Sequence, residues 1–153
     1  MQFEVLSRTR AEQRAPDVPY IIISIKDRDA QKPRLPNPPT CLGRLALVFD
    51  ALDQPVEGFD LFTEAHAQHI LQFVGERLGQ IDLIVVHCEL GRNRSAAVAA
   101  ALCRLINGYD ERFFVRYEPC RYVYESLLAY ARKTGWKPRP VSCAMPAETG
   151  ADG

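Results

Sequence analysis

Five residues separate Cys88 from Arg94, and Ser95 follows at once, in the run His87-Cys88-Glu89-Leu90-Gly91-Arg92-Asn93-Arg94-Ser95. A thiol and a guanidinium at that spacing suggest nucleophilic attack on an anionic centre. The attacking species is the thiolate, and an ordinary cysteine titrates near ~8.5 unless cations or a helix N-terminus lower it. A loop this short that runs into a helix can turn several backbone N–H groups inward and form an anion cradle. Gly91 allows a bend that a side chain would block. The planar fork of Arg94 can hold two phosphate oxygens together. In such a cradle the Cys88 sulfur lies in line with a bound phosphorus, and Ser95 can donate a hydrogen bond to it. His87 is expected to hydrogen-bond within the loop and hold its shape. The expected phosphate-binding stretch is Glu89, Leu90, Gly91, Arg92, Asn93 and Arg94. Arg92 adds positive potential at the mouth and Glu89 subtracts it, a mixture that does not favour a polyanionic substrate.

The flanking sequence supplies the elements that would position these groups. Ile81–Val86, IDLIVV, is an apolar β-branched run and reads as a buried strand leading into the loop. After it, AAVAAALCRLI is strongly helix-forming, rich enough in alanine to pack tightly in a core, and stops at Asn107-Gly108. Upstream, Tyr20–Lys26 (YIIISIK) and Leu45–Phe49 (LALVF) read as buried strands, and Phe3–Leu6 as a short first one. Ser7–Ala15 reads as a brief helix or loop, and the proline-rich stretch 27–40 as an irregular surface connection. Thr63 caps a helix to about Leu78 whose Ala67, Ile70, Leu71, Val74 and Leu78 share one face. His66 and His69 on that helix have no third ligand near and read as partly exposed. Pro119 opens a last helix to about Thr134, before Gly135. Strands alternating with helices predict an α/β fold, a central mostly parallel sheet flanked by helices. Residues 1–136 are expected to form one domain and 137–153 a loose tail.

Bulk composition narrows the partners. The chain has 153 residues, 47% apolar and 25% charged, enough for a single well-buried core. Lys plus Arg equals Asp plus Glu at 19 each, so no global basic field draws it to nucleic acid or an acidic membrane. The N-terminus is polar where a signal peptide would be apolar, and no apolar run could span a bilayer, so a cytoplasmic location is expected. The five cysteines are widely spaced without a CxxC pair, which argues against a disulfide scaffold or zinc site and for reduced thiols. The chemistry outlined calls for no metal or other cofactor.

The stretch VVHCELGRNRSAA resembles the signature of the cysteine-dependent protein tyrosine and dual-specificity phosphatases: His-Cys, five residues, Arg-Ser. The order of pieces is similar to that of the small bacterial dual-specificity-like members: YIIISI, FDALD, FTEAHAQHILQFV, the signature, then RYVYESLL. The resemblance spans roughly residues 1–133. Leu90 stands where alanine is commoner, and Ala51 takes a place more often acidic. The resemblance implies a protein-tyrosine-phosphatase-like fold and phosphomonoester hydrolysis through a phosphocysteine, on a phosphorylated protein or small phosphoester. It also implies a proton donor, an aspartate upstream of the cysteine. Asp50 and Asp53 lie 38 and 35 residues before Cys88. Asp53, nearer the loop tip, is favoured; Asp50 serves if the loop folds back, and Asp60 is a weaker candidate expected to be solvated. Arg121, Tyr122 and Tyr124 are expected to rim the pocket or buttress the loop, with packing the favoured role for the tyrosines. Two alternatives stand beside this reading: a non-catalytic phosphate-binding module, and a rhodanese-like sulfur transferase. The Arg-Ser ending and the upstream aspartates argue against the second.

Overall fold

The β-branched run Tyr20–Lys26 is buried over Tyr20–Ile25, as befits a strand with neighbours on both edges and cover on both faces. In the computed structural model, which describes residues 1–139, this strand (β2) lies inside a four-stranded sheet. The others are β1 (Gln2–Leu6), β3 (Cys41–Val48) and β4 (Leu83–His87). The order is β1-β4-β2-β3 and every pairing is parallel. In register, Leu6 of β1 and Ser24 of β2 both stand beside His87 of β4, so three strands deliver their carboxyl ends to one edge. Ligands of open parallel sheets bind beyond that edge.

Five α-helices complete the described fold: α1 (Arg8–Ala11), α2 (Glu64–Arg77), α3 (Arg94–Asn107), α4 (Glu111–Arg116) and α5 (Arg121–Thr134). The two faces of the sheet are covered unequally. Ile21, Ile23, Ile25, Ile84 and Val86 pack under α2, α3, α4 and α5 in the main core. On the other face Tyr20, Ile22, Leu83 and Val85 meet only Ala11 of α1 and partly buried neighbours such as Leu35. Every residue of α3 from Arg94 to Cys103 is buried, and its alanines let the helix sit close to both the sheet and α5. Gly108, at φ +91°, ends it in the left-handed conformation expected of a helix stop.

Several boundaries depart from the sequence reading. β3 begins at Cys41 rather than Leu45 and is an edge strand with alternating exposure. Its first residues look weak by pattern because they are solvated on one face, yet they pair with β2 all the same. β4 starts two residues later than expected and ends one later, on His87 itself. The last helix starts at Arg121, with Pro119 and Cys120 ahead of it. Helix α4 had no counterpart in the sequence reading, since six residues give too few turns for a period to show. The expected loose tail lies, from residue 140 onward and including Cys143, outside the described residues.

Candidate active site

The stretch between β4 and α3 is shaped by what its carbonyls do. Glu89 C=O accepts from the Arg8 N–H at 3.1 Å, Arg92 C=O from Glu118 N–H at 2.9 Å, and Asn93 C=O from Cys120 N–H at 3.1 Å and Ala97 N–H at 3.0 Å. The Asn93 side chain adds a bond from Nδ2 to the Glu118 carbonyl at 2.9 Å. Two separate segments, the start of α1 and the α4–α5 connection, thus hold these carbonyls, with the first turn of α3 taking the Asn93 carbonyl as well. Among the described residues, no backbone N–H from Glu89 to Asn93 donates to a backbone carbonyl. Inward N–H groups beside a helix N-terminus are an anion site.

Gly91 is fixed by geometry. It sits at φ +70°, and a Cβ there would lie 2.5 Å from both the Leu6 carbonyl carbon and the Ser7 nitrogen. Only glycine fits both the conformation and the gap. Leu90, in contrast, is 72% exposed and takes no space from the cradle.

Cys88 is 2% exposed, with its Sγ 3.0 Å from Ser95 Oγ. Burial alone would push this thiol up. Hydrogen bonds to the sulfur from the Ser95 hydroxyl and from the Ser95 and Gly91 N–H groups, with the Arg94 charge, outweigh it and bring the thiol below its ordinary value. His87 bridges Cys88 to the sheet. Its Nδ1 lies 3.3 Å from the Cys88 carbonyl and its Nε2 2.7 Å from Ser24 Oγ. The carbonyl can only accept, so Nδ1 carries the proton and Nε2 accepts from Ser24. Burial, more than any charge nearby, lowers the His87 pKa and keeps this ring neutral.

Arg94 is 7% exposed at the first position of α3. Its Nη1 donates to Asp27 Oδ1 at 2.6 Å and to the Phe49 carbonyl at 2.8 Å. Its Nε is buried without a protein partner. The sequence reading missed Asp27, the residue just after β2. The acid was legible, but its relevance depended on β2 lying next to β4, which no local pattern reveals.

The two aspartates proposed as proton donors differ sharply. Asp50 Oδ2 accepts from the Asp60 N–H at 2.6 Å while its own N–H donates to the Asp60 carbonyl at 2.7 Å, so its carboxylate closes the base of the loop. Asp53 is exposed, and it lines a cavity of about 620 Å³ together with Ala51, Leu52, Asn93, Glu118 and Arg121. Asp60 is not merely solvated: Arg28 grips it with two bonds, Nη2–Oδ1 at 2.6 Å and Nε–Oδ2 at 3.1 Å. The extra charges of the loop 88–94 are also paired, Arg92 with Glu118 at 3.7 Å and Glu89 with Arg8 at 4.0 Å.

Away from the loop, Tyr124 is buried with its hydroxyl on Asp110, a packing role, whereas Arg121 is exposed at the cavity rim. His66 does more than sit on a helix face. Its Nδ1 accepts from the Thr63 N–H at 2.9 Å and its Nε2 donates to the Val48 carbonyl at 3.0 Å, which ties α2 to the end of β3. Among the described residues no three His, Cys, Asp or Glu side chains are grouped to hold a metal ion, and no helix is long and apolar enough to cross a membrane.

No protein-family model matches the chain, and no curated protein matches it at significance. Solved structures do. Human DUSP28 superposes with a TM-score of 0.60 at 17% identity, over 87% of this chain and 93% of its own. PTPMT1 gives 0.53 at 17% identity over 88% and 92%. A mouse putative dual specificity phosphatase complexed with zinc tungstate gives 0.51 at 20% identity over 86% and 79%. At such identities the likeness concerns the backbone. The chain has the fold of the dual-specificity and tyrosine phosphatases.

Proposed function

We propose that the chain is a phosphomonoester hydrolase that works through a phosphocysteine, of the protein tyrosine or dual-specificity type. One observation carries this reading: a buried thiol below its ordinary pKa stands in a loop whose N–H groups from Glu89 to Asn93 donate to no backbone carbonyl, beside a buried arginine whose Nε has no partner. The Arg94-Ser95 ending and the upstream aspartates argue against a rhodanese-like sulfur transferase.

In the first step the Cys88 thiolate attacks phosphorus and the P–O bond to the leaving group breaks. Asp53 gives its proton to the departing oxygen. Asp53 takes this role because the Asp50 carboxylate already closes the loop base. The N–H groups of residues 89–94 and the Arg94 guanidinium hold the three equatorial oxygens as charge spreads over them. In the second step a water passes a proton to the Asp53 carboxylate and attacks phosphorus. The S–P bond breaks, the electron pair returns to sulfur, and the Ser95 hydroxyl stabilises the thiolate as it leaves. The substrate is a phosphorylated protein or a small phosphoester. Paired charges around the mouth do not favour a polyphosphorylated one.

The test is phenolate release from an aryl phosphate with chelator present. Native protein should turn over, and Cys88→Ser should lose roughly 10⁴-fold or more while still binding tungstate. An inactive native protein that binds tungstate would replace the hydrolase with a phosphate-reading module.

A further inference from the structure

The sheet face turned away from the main core holds a cavity, and the strands explain it. Tyr20 and Ile22 of β2 pack on that face, so by alternation Ser24 and Lys26 share it. The register sets Arg44 beside Ile22, Ala46 beside Ser24 and Val48 beside Lys26. Two small residues thus lie side by side between longer ones and leave a hollow. Pro33 and Leu35, from the connection between β2 and β3, close over it, and no helical residue lines it. The enclosed volume is about 340 Å³. The covering segment is tied down along its length. Lys26 Nζ donates to the carbonyls of Asp27 at 3.2 Å, Arg28 at 3.4 Å and Ala30 at 3.0 Å. The Arg34 N–H donates to Glu12 Oε2 at 3.0 Å, and Arg44 Nη1 to the Leu35 carbonyl at 3.5 Å. The cavity is therefore formed in advance, with a volume at the lower end of the range for small-molecule sites, ~300–1,000 Å³.

Its charge is one-sided. Lys26, Lys32 and Arg44 line it and no carboxylate does. Among the described residues none of these three cations is in an ion pair. Asp27, next to Lys26, gives its carboxylate to Arg94 instead. Lys26 has spent its three hydrogens on carbonyls and contributes charge alone. Ser24 spends its hydrogen on His87 Nε2, so at the floor it offers only lone pairs. A negative group is thus disfavoured at the floor and favoured at the rim, where Lys32 and Arg44 are exposed. We propose that this cavity binds a small anionic amphiphile. Lys32 and Arg44 hold its negative head, and its apolar body lies against Ala46 and Val48 beneath Pro33 and Leu35. The volume favours a small molecule over a polypeptide segment. No residue of the loop 88–94 lines the cavity, so the site is separate from the phosphate cradle and independent of the hydrolase reading.

The experiment titrates the protein with 8-anilinonaphthalene-1-sulfonate by fluorescence, with tungstate present to fill the cradle. The uncharged N-phenyl-1-naphthylamine serves as the same body without the head. Native protein should bind one sulfonate probe per chain, and decanoate should displace it. Lys32→Glu/Arg44→Glu, which reverses the rim, should weaken the sulfonate about tenfold and leave the uncharged probe within about twofold. Ala46→Leu, which fills the floor from an exposed strand position, should weaken both probes about tenfold. Thermal unfolding of each variant shows that it is folded. Should Ala46→Leu unfold, the charge reversal at two exposed side chains carries the test. A sulfonate probe bound equally well after the charge reversal, or by a folded Ala46→Leu protein, overturns the proposal. So does displacement of the probe by tungstate, which would put it in the cradle. Displacement by polyglutamate at lower concentration than by decanoate also overturns it, in favour of an acidic protein segment.

Discussion

The loops 88–94 and 50–60 meet at the cavity beside Asn93, and they are held in opposite ways. In the first, Cys88, Gly91 and Arg94 are buried, and outward carbonyls are anchored by Arg8 and by Glu118 and Cys120, from two other segments. In the second, residues 53–59 are exposed, and the loop is closed at its base by the Asp50–Asp60 pair. A site that must stabilise charge gains from groups fixed in advance, because they need no reorganisation as charge develops. A group that must meet a leaving oxygen and later a water gains from a segment that moves at little expense in free energy. In the proposed reading, the difference separates an electrostatic cradle set during folding from a proton donor carried on a solvated loop.

The sharpest way to break this division is at the aspartates. Asp53→Asn should lower kcat by about 10²–10⁴-fold and flatten the limb of the pH–rate profile that reports the proton donor. Asp50→Asn should leave that limb in place and mainly loosen the loop base. A profile flattened by Asp50→Asn alone would reverse the assignment.

Gly91→Ala probes the rigid side. The added methyl meets the backbone of Leu6 and Ser7 at 2.5 Å with φ at +70°. Destabilisation of about 2–3 kcal/mol is expected, read from denaturant midpoints, with weakened tungstate binding. The same substitution at Gly58, also at positive φ but with nothing within 4 Å, should cause much less loss and leave tungstate binding alone. Equal losses at the two glycines would mean that the cradle is no more constrained than the exposed loop.

A smaller effect is expected at Ser95. Ser95→Ala removes the hydroxyl 3.0 Å from the sulfur, and turnover should fall about tenfold. The alkylation rate of Cys88 should inflect below an ordinary thiol in native protein and shift to higher pH in the variant. An unmoved inflection would place the thiolate's stabilisation in the N–H groups alone.

The weakest effect is on stability against pH. His66 is held below its ordinary pKa, chiefly by burial and despite its bond to the Val48 carbonyl. The unfolded chain therefore takes up this proton more readily than the folded one. Stability is flat above the unfolded value of 6.5 and declines as pH falls below it toward the folded value. His66→Gln should reduce that slope, measured by denaturant midpoints between about pH 7.5 and 5. His87, lowered in the same direction, keeps part of the slope.

Much of this was legible in the residues. The β-branched run 20–26 and the alanine-rich helix after Arg94 could be read locally, because burial on all sides leaves an unbroken apolar pattern. Thr63 was legible as a cap, and Gly108 and Gly135 as stops. The start of β3 was not, since an edge strand solvated on one face carries a diluted pattern. Helix α4 was too short to show a period. At the site, the spacing of Cys88, Gly91, Arg94 and Ser95 pointed to a cradle, and these residues do converge. The choice between Asp50 and Asp53 was open in sequence, because two aspartates three residues apart differ only in what their carboxylates meet.

By itself, then, the sequence determined the parts whose geometry is local: a strand, a tight turn that needs glycine, and a helix whose first turn carries Arg94 and Ser95. Tertiary structure alone decided which distant groups reach that turn. The parallel order β1-β4-β2-β3 sets β2 beside β4 and β3 beside β2. Asp27 and the Phe49 carbonyl thereby arrive at Nη1 of Arg94, 67 and 45 residues away along the chain. Contacts of that kind arise from strand pairing, and no short-range pattern of residues encodes them.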